Sequence, residues 1–446
     1  MKNIIKKLSA FFLLLIIAGA CKTDFENHNA FSEDAVFSTP EAYPGLVLGL
    51  TQHYTNHALY EIVRGPGVVS REIGATNDYT TENELESGNI PDDNANISAL
   101  WRHLLYERGI ADKIATNIDN VVFPSDAEKA GIKAYAKFFI GFTDLYLGMY
   151  WEKAPIQNNP DNNATFSDRS DVLAAAISNF DDALNILSSQ AGSADYINHL
   201  VSNEFSITDV INTMKARAYL ELGDYQHVIS AANNVDLTKR SVWTYDGTTN
   251  NRNPIWVLQY DPGSYERWRA LKDLGITPEA GDQRISFYTT TQPGPDSFTC
   301  HYETRYVAGF WTSPTSSIPV YLPDEVKLMK AEAYAEMGSG NLSNAVSLIN
   351  EVRTDTNDPF GVNAGLGPWT GNANDQQAVL DQIFYNYATE IFLEGLRWNA
   401  HKRIYPDYLN GVTPPVRCEK MRKRNYFPYP STEKANNKNT PNDPVI

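Results

Sequence analysis

His53 and His57 stand four residues apart, a spacing at which one helix face can offer two imidazoles to zinc. The H-E-x-x-H pattern of metalloproteases needs Glu directly after the first His, but Tyr54 is there, and no third ligand is evident. Glu390, Glu394 and Arg397 fall at i, i+4 and i+7, so in a continuous helix they share a face. Two readings follow. The carboxylates could work as acid and base, as in glycoside hydrolysis, or they could form an ion-pair cluster with Arg397 that anchors a helix. Asp161 in NPDNNAT and the Asp92-Asp93 pair could hold calcium through loop oxygens, although no EF-hand pattern is present. GLGPWTG at 365–371 lacks the Lys-Ser/Thr of a phosphate-binding loop, and no G-x-S-x-G elbow occurs. No cofactor and no catalytic residue is therefore expected, with a structural calcium ion as the alternative left open.

The strongest chemical signal is aromatic. Segment 240–322 holds four of the eight tryptophans (Trp243, Trp256, Trp268 and Trp311) and seven tyrosines, among much Thr, Ser, Gly and Pro. A second irregular segment, 358–377, contains Trp369. Trp and Tyr rings can cover the flat C–H faces of sugars while neighbouring Asp, Asn, Arg and Gln bind hydroxyls. Binding residues also concentrate on loops held by a rigid scaffold. Asp78, Tyr79, Trp268, Arg305, Trp311 and Trp369 are the ligand-facing candidates, because they lie in irregular segments beside polar residues. Trp101, Trp151, Tyr219, Tyr334 and Trp398 lie in helical segments and are assigned to the core.

The elements that must position these residues are mainly helices. Apolar spacing predicts helices within 41–63, 97–119 and 126–150, and one beginning near Ser170-Asp171 with Ser170 as N-cap. Segments 211–235 and 323–353 each read as a helix pair. KARAYLELG at 215–223 and KAEAYAEMG at 330–338 agree at six of nine positions, and each is followed by a turn and a second helix. Small residues for close approach, a Tyr in the gap and a terminal Gly follow tetratricopeptide-like logic. Residues 142–150 look like a weaker third copy. The spacing of 115 residues between the two good copies excludes a regular solenoid and makes 240–322 an insertion. Residues 64–98, rich in Gly, Asn, Asp and Glu, read as a long loop.

The chain has 446 residues with 37 Lys+Arg against 54 Asp+Glu, a net charge of −17. That balance argues against general nucleic-acid binding and disfavours polyanionic glycans, unless a local basic patch such as Lys420–Arg424 gathers them. Three cysteines exclude a disulfide-stapled scaffold; Cys300 and Cys418 could form one bond, but two cysteines do not prove it. Residues 1–20 read as a secretory signal: Lys2, Lys6 and Lys7, an apolar run from Phe11 to Ile17, then Ala18, Gly19 and Ala20 before Cys21. A Cys in that place resembles a bacterial lipobox. Lipidation of Cys21 would tether the body to a membrane, with 21–40 as leader.

Five further segments, in order, resemble the SusD/RagB family of Bacteroidota. They are AYAKFFIGFTDLYLGMYWEKAPI (134–156), VYLPDEVKLMKAEAYAEMG (320–338), LINEVRTDTN (348–357), EIFLEGLRWNAHKRI (390–404) and NYFPYPSTEKANNKN (425–439). Leu396 stands where the family usually has His, and Leu322-Pro323 where it has Arg-Tyr. The resemblance implies a mostly α fold of tetratricopeptide-like helix pairs with a loop-rich, partly β insertion. It implies one domain over 41–446, with helical core at about 97–235 and 323–405. It also implies a non-catalytic lipoprotein on the exterior of the outer membrane that binds nutrient, chiefly glycan. The bound glycan would pass to a SusC-like TonB-dependent transporter. On this resemblance the Glu390 segment is framework. A peptide or glycoprotein-derived cargo is the alternative, and a surface glycoside hydrolase a third reading.

Overall fold

A computed structural model describes residues 33–159, 161–260, 268–412 and 418–445, so Cys21 and the leader around it lie outside the described residues. The architecture is mostly helical. α1 (Tyr43–His53) and α2 (Leu59–Val69) are joined by a π-helical turn, Tyr54–Ala58. α3 (Thr80–Ser87), α4 (Ala95–Asn117), α5 (Asp126–Tyr150), α6 (Arg169–Ser189) and α7 (Ser193–Val201) follow. α8 (Ile207–Leu222) pairs with α9 (Tyr225–Ala232), and α10 (Pro323–Glu336) with α11 (Leu342–Thr354). α12 (Gln376–Glu390) and α13 (Arg397–Ile404) come next, and shorter helices lie at Pro254–Tyr260, Gln283–Tyr288 and Ser431–Asn436. No described helix is long and apolar enough to cross a membrane.

Local chemistry sets these boundaries. Asn94 caps α4 by accepting the N–H groups of Asn96 (3.1 Å) and Ile97 (3.2 Å), and Ser125 caps α5 by accepting that of Glu128. The Gly that ends the first repeat, Gly223, takes φ 73°, and Asp224 then caps α9. α6 begins at Arg169, so Ser170 lies inside its first turn rather than at the cap. α5 packs between α4 and α6, and α9 against α10, so the two helix pairs with the sequence repeat are neighbours although the 240–322 segment separates them in the chain.

The expected long loop over 64–98 is corrected. α2 continues through Gly65-Pro66-Gly67, and the polar stretch TTENELES forms α3. Glu82 and Glu86 of this helix are buried because they find partners from elsewhere. Glu82 lies 3.6 Å from Arg64 and accepts the amide of Asn96 (3.1 Å), and Glu86 accepts the N–H of Thr299 (3.2 Å). Hydrophobicity alone cannot reveal a helix buried through polar pairing.

A second correction concerns Glu390, Glu394 and Arg397. They do not share a helix face, because α12 ends at Glu390 and α13 begins at Arg397, with Leu393 (φ 61°) and Gly395 (φ 75°) between them. Glu390 pairs with Arg284 (3.4 Å) and Arg397 with Glu72 (3.9 Å). Both readings of the trio as a unit therefore fail geometrically. Other buried charges form similar long-range pairs: Arg217 with Glu325 (2.6 Å), and Arg403 with Glu332 (2.7 Å) and Glu221.

Glu394 is buried, and its Oε1 has no hydrogen-bond partner. Burial pushes its pKa up to about 8, against a partial lowering by Arg217. The folded chain thus holds this proton more tightly than the unfolded chain does. The stabilisation is complete below pH 4.5 and is lost as pH rises toward 8. At 1.36 kcal/mol per pH unit, the wild type is expected to lose about 3 kcal/mol between pH 5 and 8 relative to Glu394→Gln. Urea midpoints of both proteins across that range test this, and parallel pH profiles would rule it out.

Candidate functional site

The aromatic segment contributes most of a four-stranded antiparallel sheet. It contains β1 (Ile73–Ala75), β2 (Trp268–Leu271), β3 (Thr289–Pro293) and β4 (Thr304–Val307), in the order β1-β2-β4-β3. Ala75 lies opposite Trp268, and Ala270 opposite Arg305. The loop before β4, residues 297–302, is held by its own backbone. Ser297 N–H donates to Tyr302 O (3.0 Å), and His301 N–H to Ser297 O (3.1 Å).

This loop joins two surfaces. On one side Phe298 N–H donates to Ala75 O (2.7 Å), and Thr299 Oγ1 donates to Asn83 Oδ1 (2.5 Å). Asn83 Nδ2 in turn donates to Asp78 Oδ1 (2.8 Å). Tyr79 and Phe298, exposed by 41% and 46%, thus stand on segments tied to each other. On the other side is a cleft of about 490 Å³ lined by Arg71, Leu271, Lys272, Gly275, Ile276, Thr277, His301, Tyr302, Glu303 and Met421. A disulfide between Cys300 and Cys418 fastens the loop to the C-terminal segment.

The cleft walls have unusual backbone. Arg71, Asp273, Leu274 and His301 have φ of 61°, 54°, 55° and 54°, four of the six non-glycine residues with positive φ among the described residues. Such strain persists only where surroundings enforce it, and it gathers at functional sites. Here the enforcement is visible. Arg397 Nη1 donates to Leu274 O (2.6 Å) and, at 3.5 Å, to Arg71 O. Gly275 (φ 71°) passes so near the Arg71 carbonyl that a Cβ would lie 2.0 Å from that oxygen.

The sequence candidates divide. Asp78 and Tyr79 are exposed, and Arg305 is half-buried on β4, with Nη2 3.6 Å from Glu303. Trp268 and Trp311 are corrections: both are fully buried. Trp268 lies on β2 opposite Ala75 and belongs to the hydrophobic core, and Trp311 stacks on Tyr288 (5.5 Å) with Phe392 at its edge (5.9 Å). An irregular backbone around a large ring does not expose it; apolar area removed from water decides. Trp369 is half-buried, and its backbone N–H donates to Asn350 of α11 (2.7 Å). Sequence reasoning missed Phe298, Arg71, His301 and Tyr302. Tyr302 is one of the seven tyrosines counted in 240–322, and Phe298 lies two residues before Cys300 in a polar stretch.

The basic run 420–424 is not a surface patch, because Arg422, Lys423 and Arg424 are buried. A third imidazole does join His53 and His57: His103 stacks on His57 at 5.1 Å, while His53 Nδ1 is 2.9 Å from Glu107 Oε1. Burial lowers His53 and His103 to about 4, so they are neutral at pH 7. Among the described residues no group of three His, Cys, Asp or Glu is arranged to hold a metal ion. Of the calcium candidates, Asp92 is paired with Lys434 (2.8 Å).

No protein-family model matches the chain, and no curated protein is similar to it in sequence. Solved structures match over nearly the whole fold. A SusD superfamily protein from Bacteroides vulgatus superposes with TM-score 0.69 at 13% identity, covering 91% of this chain and 99% of that one. NanU of B. fragilis gives 0.68 at 13%, covering 93% and 99%. A SusD-like carbohydrate binding protein from Bacteroides fragilis gives 0.60 at 14%, covering 91% and 99%. The chain is a helical-repeat protein with a loop-built surface. Its fold is that of the SusD superfamily.

Proposed function

We propose that the protein is a non-catalytic glycan-capture protein. The observation that carries this reading is the pair of exposed rings, Tyr79 and Phe298, on segments fastened to one loop that also walls a 490 Å³ cleft. Flat rings beside Asp78 and Asn83 supply the apolar platform and hydrogen-bonding rim that a sugar needs. A solved protein of the same fold is described as carbohydrate binding, which supports the reading. In this proposal Cys21 carries the lipid and the body faces the exterior of the outer membrane. The helix pairs contact a SusC-like TonB-dependent transporter that receives the glycan.

Calorimetric titration against neutral, acidic and host-type glycans plus a peptide digest, with each mixture then analysed for cleavage, tests the reading. Binding to one glycan class without products is expected. Tyr79→Ala and Phe298→Ala are each expected to weaken binding about tenfold, which is about 1.4 kcal/mol. Their thermal midpoints should not move, since both rings are exposed. Cleavage, or binding confined to peptides, would overturn the reading.

A further inference from the structure

We propose that the cleft beside the 297–302 loop takes a sugar acid, with the ligand carboxylate received by Arg71. This rests on the carbohydrate reading above and names the ligand class within it.

Arg71 is placed at a cost. Arg71 N–H donates to Val68 O (3.2 Å) and Glu72 N–H to Gly67 O (2.7 Å), which is the paired bonding of a Schellman helix end. Arg71 therefore occupies the left-handed position that glycine ordinarily fills, at φ 61°. Glycine would fit the turn better and would lack only the side chain. That side chain lines the cleft, with its guanidinium 4.8 Å from the centre of the Tyr302 ring.

The guanidinium is also unneutralised. Of the buried arginines, Arg422 and Arg424 donate to backbone carbonyls, while Arg64, Arg108, Arg217 and Arg284 each face a carboxylate within 4.0 Å. Among the described residues Arg71 has no such partner, and its Nε is buried without a hydrogen bond. Its charge is felt nearby. Lys423, buried behind the cleft, is pushed down to about 7 by its own burial and then by Arg71. The other cleft cation, Lys272, is held by the exposed Glu303 (2.9 Å). In a chain of net charge −17, an unpaired Arg fork stacked on a Tyr at a cleft wall is a receptor for a planar anion. Tyr302, the ring beneath the guanidinium, together with Leu271, Ile276 and Met421, lines the cleft with the ring and apolar surface that a sugar face can use and a plain organic acid would not.

The test titrates the purified protein with galacturonate, glucuronate and mannuronate oligomers, each as free acid and as methyl ester. Glutarate and a glutamate-rich peptide serve as non-sugar carboxylates. At least one free acid is expected to bind tenfold or more tighter than its ester and than either non-sugar acid. Arg71→Gly should abolish that preference while leaving the thermal midpoint equal or higher, because it relieves the left-handed arginine. Arg71→Lys, which keeps charge but not the fork, should weaken the acid less than Arg71→Gly does. Equal binding of acid and ester, or a preference that survives Arg71→Gly, would sink the proposal and leave glycan capture standing. Binding of glutarate or peptide as tight as the sugar acid would sink the sugar part. Failure of every uronate and ester would sink the proposal alone; failure of the neutral and host-type glycans as well would sink glycan capture with it.

Discussion

The Arg397→Met variant is expected to lose about 3–5 kcal/mol of stability, the cost of breaking a buried charge pair from one side. Arg397 is fully buried, and its guanidinium joins elements distant in the chain. It donates to Leu274 O and Ala388 O, and its Nε lies 3.9 Å from Glu72. Glu72 is itself buried, accepting the Leu393 N–H (2.8 Å) and the Ser70 hydroxyl (2.9 Å). Burial raises the Glu72 pKa and Arg397 lowers it in part, so removing Arg397 leaves a carboxyl more strongly driven to protonate. The variant should therefore be most destabilised at alkaline pH. It should also loosen the cleft, since Arg397 fixes the carbonyls of both Arg71 and Leu274. Urea unfolding gives the stability, and Glu72→Gln with Arg397→Met tells the causes apart. Partial recovery in the double variant assigns the loss to the orphaned acid; no recovery assigns it to the lost carbonyl bonds. A single variant within 1 kcal/mol of wild type would remove Arg397 from its anchoring role.

The framework was largely legible because helix signals are local. Apolar spacing over 126–150 predicted the helix found at Asp126–Tyr150, and the KARAYLELG and KAEAYAEMG repeats lie in helix pairs that pack together. The expectation of short strands in 240–322 corresponds to β2, β3 and β4. The reading failed where distant residues decide. α3 is polar, yet Arg64, Asn96 and Thr299 partner its buried Glu82 and Glu86. The Glu390–Arg397 stretch matches a helical face by spacing, but two positive-φ residues break it. The candidate site was less legible still. Asp78 and Tyr79 were singled out from their irregular segment, and they are exposed beside the 297–302 loop. Trp268 and Trp311 were singled out for the same reason and are core. Arg71 carries no sequence mark, because its significance lies in a φ angle and in the absence of a charged partner.

Replacing both Cys300 and Cys418 by Ser is expected to cost about 4–5 kcal/mol. The bond closes a separation of 118 residues, and in the chain-entropy account a loop of about 100 residues is worth about 4.7 kcal/mol. The effect acts on the unfolded chain, so the cysteine-free protein should keep the fold and unfold at lower urea with little change in the native spectrum. A second consequence is local. Cys300 directly precedes His301 and Tyr302 in the cleft wall, and the Tyr302 hydroxyl donates to Cys418 O. Met421, three residues beyond Cys418, lines the same cleft. Without the bond, the 297–302 loop keeps its hydrogen bonds to Ala75 and Asn83 but loses its covalent tie to that opposite wall. Ligand affinity, measured well below the unfolding midpoint, should therefore fall as well, with Arg71 and Tyr302 less firmly held together. Reduction of the wild-type protein should reproduce both effects, and reoxidation should restore them. A stability loss with affinity unchanged would show that the backbone bonds of the loop suffice to shape the cleft. A stability change below 1 kcal/mol would mean that the unfolded chain stays compact across the 300–418 span without its covalent link.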